Sequence, residues 1–141
     1  MKIYKIANLI NQPNASGDAN PAYQVDGPIP KKLYHATQIK NLKTIEQQGL
    51  KTNMSPNFDI SYPVVYLATW PDDALRWVGG ASDEVTLLEI DMSKLDKSLL
   101  YYDRNVTMDD EFEYHADIPI SAISKTENIP KNVLIEHGYL E

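Results

Sequence analysis

Three groups of residues have types and spacings suited to chemistry rather than to packing. The first is Tyr34-His35-Ala36-Thr37. The second is Tyr66-Leu67-Ala68, with Trp77 on the segment that follows. The third is Glu111-Phe112-Glu113-Tyr114, shortly before Asp117-Ile118-Pro119. A His-x-Thr pair offers side-chain hydrogen bonds to sugar hydroxyls, while Ala36 between them presents a backbone N–H and C=O to an amide. Tyr66 and Trp77 suit the two faces of a flat ring, offset stacking being worth about 0.5–1.5 kcal/mol per pair. A carboxylate beside a ribose holds its 2′-hydroxyl and stabilises an oxocarbenium-like transition state as a base departs. Taken together, these types suit a slot that grips a nicotinamide nucleotide and breaks its glycosidic bond.

Each group also has a plainer reading. Thr37 can be a helix N-cap beside a histidine satisfied by local backbone. Tyr66 and Trp77 can be core rings, and Trp70 competes for any stacking role. Glu111 and Glu113 share one face of a strand, with Phe112 and Tyr114 on the other. With Asp109 and Asp110 just before them, they can equally form a solvated acidic face.

The elements that must position these residues are legible in outline. Lys32-Leu33-Tyr34-His35 reads as a short strand ending at Thr37. That threonine then caps a helix with apolar positions at Ile39, Leu42 and Ile45 and a stop at Gly49. Val64 to Leu67 is a β-rich run, and Thr69-x-x-Asp72 with Pro71 resembles a capping box opening a helix through Ala74 and Trp77. Glu84 to Ile90, Leu99 to Tyr102 and Glu111 to His115 read as strands, and Pro119 and Pro130 bracket the last short elements. The sum is a strand-dominated α+β domain with two main helices.

Length and composition bound the rest. At 141 residues, 43% of them hydrophobic, the chain suits one domain with a real core. Residues 11–30 are rich in turn formers and poor in apolar residues. The division is therefore an N-terminal segment and flexible linker over 1–30 and a folded domain over 31–141. With no cysteine there are no disulfides and no thiolate chemistry, and three well-separated histidines (His35, His115, His137) give no metal spacing. No metal is expected. No apolar run reaches the roughly 18 residues of a membrane span, and Met1 to Ile10 lacks a signal-peptide pattern. A cytoplasmic protein without a membrane partner is the expectation. A net charge of −7 disfavours extended nucleic-acid binding, but not one nucleotide in a pocket.

The order of the three groups resembles the ADP-ribosyltransferase superfamily, in its His–Tyr–Glu branch with diphtheria toxin, the poly(ADP-ribose) polymerases and DarT-like toxins. The family's His-Gly-Ser/Thr strand end is matched by His35-Ala36-Thr37, with alanine in place of glycine. Its Tyr-Phe/Leu-Ala/Thr strand end, with a further aromatic one helix on, is matched by Tyr66-Leu67-Ala68 and Trp77. Its late glutamate is matched by Glu111-Phe112, and Asp117-Ile118-Pro119 resembles the Ile-Pro stretch of the DarT-like toxins. The resemblance spans roughly Leu33 to Ile123.

What the resemblance implies is an ADP-ribosyltransferase-like fold of split, bent β-sheets and a mono-ADP-ribosyltransferase using NAD as substrate. His35, Ala36 and Thr37 would bind the riboses and the amide, and Tyr66 and Trp77 the nicotinamide. Glu111 would be the catalytic carboxylate. Glu113 is the alternative, because Glu111-x-Glu113 also resembles the arginine-modifying branch, whose first motif has Arg where this chain has His35. The macromolecular acceptor is not specified. A non-catalytic module binding NAD, ADP-ribose or a protein on the same fold is the second reading. RNA 2′-phosphotransferase is the third; that family resembles the chain at His-x-Thr and Trp77-Val78-Gly79, but has His where Tyr66 stands and Arg after its Val-Gly, where this chain has Gly80-Ala81.

Overall fold

The computed structural model describes residues 12–13, 19–20, 22–52, 63–76, 78, 84–104 and 110–138. Six strands form one antiparallel sheet: β1 Lys32–Gln38, β2 Val65–Ala68, β3 Val85–Asp91, β4 Leu100–Tyr102, β5 Glu111–Tyr114 and β6 Ile123–Ile129. Their order across the sheet is β4-β5-β2-β1-β3-β6. Three short helices flank it: α1 Leu42–Gln48, α2 Pro71–Arg76 and α3 Lys131–Glu136. This is a mixed architecture of the α+β class. These six strands make one continuous sheet, but its middle is thin. β1 runs in register with β3 from Lys32↔Asp91 to Gln38↔Val85, and β2 with β5 from Val65↔Tyr114 to Ala68↔Glu111. β1 and β2 share one pair, Tyr34↔Ala68.

Period-two alternation sorts the side chains onto two cores. On one face Leu33, Leu67, Leu88, Ile90, Leu100, Phe112 and Tyr114 pack with Ile45 of α1, Leu50, Met92 and Ile118. On the other, Ala68, Val85 and Leu87 pack beneath Ala74 and Leu75 of α2 and Leu134 of α3, with Tyr34 and Ala36 against them. Strands with apolar residues on both faces are what a sheet buried on both sides requires.

Several expectations need correction. Thr37 does not cap a helix: it lies inside β1, in register with Thr86, and its Oγ1 accepts a hydrogen bond from Asn41 Nδ2 at 2.9 Å. The strand runs on because β3 offers it a partner as far as Gln38; a 3-10 turn, Ile39–Asn41, then leads into α1. The stop at Gly49 is as read. Its φ is 75°, and a Cβ there would collide with the Ile118 carbonyl oxygen. Leu50 and Ile118 exchange backbone hydrogen bonds at 2.9 and 2.8 Å, so the Asp117-Ile118-Pro119 stretch is tied to the end of α1.

β6 lies in the stretch that Pro119 and Pro130 bracket, where short elements are expected but no strand is assigned. Ser124 to Asn128 are exposed, so no burial period marks the strand. It is an outer strand with an irregularity opposite Glu89/Ile90 and with Lys125 beside it, features that blunt an open edge.

Part of the stretch read as linker is also built into the fold. Ala22 is buried, and Tyr23, Val25 and Ile29 pack on the larger core. The Val25 amide donates to the Leu100 carbonyl, and the Tyr102 amide to that of Tyr23, so this segment covers the outer edge of β4. Before it, Gln12–Pro13 and Ala19–Asn20 pair as a short ribbon.

Candidate functional site

The site is where β1 and β2 part. Beyond Tyr34↔Ala68, residues 35–38 of β1 have no register pair with β2. A side chain crosses the gap instead: His35 Nδ1 lies 2.7 Å from the Tyr66 carbonyl oxygen. A carbonyl oxygen only accepts, so Nδ1 carries the proton and donates it. Burial holds the His35 pKa below the ordinary histidine range, and the hydrogen bond to Tyr66 opposes this only in part. The ring is therefore neutral near pH 7, and Nε2 carries a lone pair able to accept a hydrogen bond. His35 and Thr37 lie on the same face of β1. Thr37 is buried and fixed by Asn41, and Ala36 between them is half-buried.

Tyr66 is half-buried and stands in register with Glu113. Glu111 stands in register with Ala68, which is itself in register with Tyr34. By alternation Tyr66, Glu111 and Glu113 lie on the sheet face opposite His35 and Thr37, so the two groups approach one another only at the gap. The structure thus links His35 with Tyr66 and aligns Tyr66 with Glu113. It sets Glu111 at the strand start beside a small residue, away from His35. Trp77 lies outside the described residues. Trp70, the competing ring, is 59% exposed, and its carbonyl accepts from the amides of Asp73 and Ala74 at the start of α2.

Neither glutamate is a solvated surface acid: Glu111 is 8% exposed and Glu113 is fully buried. Burying a carboxylate is costly unless it is paired. Glu113 meets that requirement through two residues that the sequence reading did not join to it. Arg104 places Nε at 2.8 Å and Nη2 at 2.7 Å from Oε1, and His115 Nε2 lies 2.9 Å from the same oxygen. Tyr101 stacks on the His115 ring with centroids 4.0 Å apart. The only sequence signal for this cluster is His115 two residues after Glu113; Arg104 arrives from the preceding strand end, which spacing along the chain does not reveal.

A groove of about 160 Å³ lies on the other side of β1, lined by Tyr34, Pro71, Leu87, Glu89, Lys125 and Glu127. Of the three groups it shares only Tyr34. On its rim Glu89 pairs with Lys32 at 2.6 Å and accepts from Ser124 at 2.9 Å; Lys32 foremost holds its pKa below the usual carboxylate range.

No protein-family model matches the chain, and no curated protein matches it in sequence. Among the described residues no group of three His, Asp or Glu side chains is placed to hold a metal ion, and no helix is long and apolar enough to cross a membrane.

Proposed function

We propose that the chain is an NAD-dependent mono-ADP-ribosyltransferase. The observation that carries this reading is the neutral His35, anchored on the Tyr66 carbonyl where β1 and β2 separate. That arrangement leaves Nε2 as an acceptor for a ribose hydroxyl and puts the Ala36 main chain at the edge of an opened sheet, where an amide can pair with it. Tyr66 supplies one face for the nicotinamide ring, and the resemblance assigns the other to Trp77. Glu111 accepts from the nicotinamide ribose.

In the reaction the glycosidic C–N bond breaks, and its electron pair passes to the ring nitrogen, neutralising the pyridinium. Positive charge develops at the anomeric carbon, where the Glu111 carboxylate stabilises it. The acceptor's lone pair then forms the new bond and its proton is released. Orientation by His35, Thr37 and Tyr66 supplies several kcal/mol of the barrier lowering.

The test is nicotinamide release from NAD⁺ by the whole chain beside Glu111→Gln. Release that falls at least ~100-fold in the variant supports the reading. Release that is equal in both, or absent from the wild type with every acceptor class supplied, overturns it. A second reading, a non-catalytic binder of NAD or ADP-ribose, is favoured by the burial of Glu111. It would show a raised melting temperature with NAD⁺ and no nicotinamide release.

A further inference from the structure

We infer that Glu113, with Arg104 and His115, is a buried positioning cluster that fixes Glu111, and that it is not the carboxylate that meets the nucleotide. The inference rests on the reading proposed above and assigns separate roles to the two glutamates of the Glu-Phe-Glu run.

Glu113 Oε1 accepts two hydrogen bonds, from Arg104 Nε at 2.8 Å and His115 Nε2 at 2.9 Å, and Arg104 Nη2 stands in ion-pair contact with it at 2.7 Å without a hydrogen bond. The side chains of Arg104 and Glu113 are both 0% exposed, and Glu113 Oε2 has no hydrogen-bond partner among the described residues. A nucleotide could reach this carboxylate only by displacing protein. Glu111 lies two residues earlier, on the same face at the strand start, and retains some exposure.

The cluster is placed to act on Glu111 through the β4–β5 hairpin. Arg104 follows β4 by two residues, and its ion pair to Glu113 ties the hairpin's two arms together. Next to it the Asp103 amide donates to the Glu111 carbonyl at 3.1 Å, which pins the main chain of the candidate catalytic residue directly. Further down the hairpin Tyr101 is in register with Glu113 and stacks on His115, and the His115 amide donates to the Leu99 carbonyl. Arg104, Glu113 and His115 therefore close the hairpin on the side of the sheet that Glu111 shares. A buried ion pair is a poor source of net stability compared with apolar packing. Its effect here is to fix a geometry.

Four whole-chain variants separate the roles: Glu111→Gln, Glu113→Leu, Arg104→Lys and the double Arg104→Met/Glu113→Leu. Nicotinamide release is measured as kcat and KM for NAD⁺, with thermal melts alongside. Glu113→Leu removes the carboxylate that Arg104 and His115 hold, and we expect kcat to fall ~10–100-fold with KM within about twofold of wild type. Arg104→Lys keeps the charge but loses the planar guanidinium and its Nε donor, and kcat should fall several-fold at unchanged KM. The double variant removes both charges together and should recover at least tenfold of the kcat lost in Glu113→Leu. Deleting a partner cannot rescue a missing catalytic carboxylate, so a folded double variant as inactive as Glu111→Gln overturns the inference. So does Arg104→Lys with wild-type kcat, a result that stands even if Glu113→Leu does not fold. A wild type that releases no nicotinamide overturns the underlying reading and this inference with it. Activity lost in Glu111→Gln but not recovered in the double variant overturns the inference alone.

Discussion

The imidazole of His35 and the main-chain carbonyl of Tyr66 meet at 2.7 Å, at the one place where the two central strands of the sheet separate. A strand pair normally satisfies such a carbonyl with a backbone N–H. Here a side chain does so, which frees the edge of β1 without leaving that acceptor bare. The same contact fixes the tautomer of the histidine.

That contact predicts a pH dependence of stability. Burial lowers the folded-state pKa of His35 below its unfolded value. Between the two, the unfolded chain binds more protons than the folded one, so stability is full above about pH 6.5 and is lost as pH falls below it. In His35→Asn, whose amide can also donate to Tyr66, this component should vanish. Thermal melts from pH 8 to pH 5 should show the wild type losing stability relative to the variant below about pH 6.5. Parallel curves would refute the assignment.

Thr37 should contribute to folding through Asn41. Its hydroxyl is buried and accepts from Asn41 Nδ2 at 2.9 Å. Thr37→Val keeps the shape and strands that donor, so urea unfolding should register a loss of about 1–3 kcal/mol. Under the proposed function the variant should also bind NAD⁺ more weakly, which calorimetry on the folded protein would detect.

Gly49 is required by backbone geometry. With φ at 75° and the Ile118 carbonyl against its α-carbon, Gly49→Ala combines strain with a steric clash. A loss of ~2–4 kcal/mol is expected. Because Leu50 pairs with Ile118 next door, hydrogen exchange at the Leu50 and Ile118 amides should rise with it.

Leu88 sits at the centre of β3 with 0% exposure. Leu88→Ala should cost about 2–5 kcal/mol in unfolding free energy, depending on how far the cavity collapses. It is the cross-strand partner of His35 on β1, so kcat in the proposed reaction, measured well below the melting temperature, should fall with it.

Before any tertiary contact is known, the chain itself specifies its strands wherever burial imposes a period. Val65–Ala68, Val85–Asp91 and Glu111–Tyr114 are legible because apolar residues recur at the spacing that a buried sheet imposes. The helix stop at Gly49 is legible because its conformation favours glycine. The candidate residues His35, Thr37, Tyr66 and Glu111 stand out by type and order. Their relative placement does not, since it depends on which strands become neighbours, and β1 and β2 are separated in sequence by a helix and a long connection. β6 is legible only as an unassigned short element between Pro119 and Pro130, because a strand exposed on both faces leaves no hydrophobic period. Thr37 is drawn into β1 by its partner strand β3, although its local preference is for a cap. The different environments of Glu111 and Glu113 are also tertiary, because alternation puts the two on one face and makes them look equivalent. What separates them is Arg104, delivered from the end of β4 into a dry interior where an unpaired carboxylate would be too costly to keep.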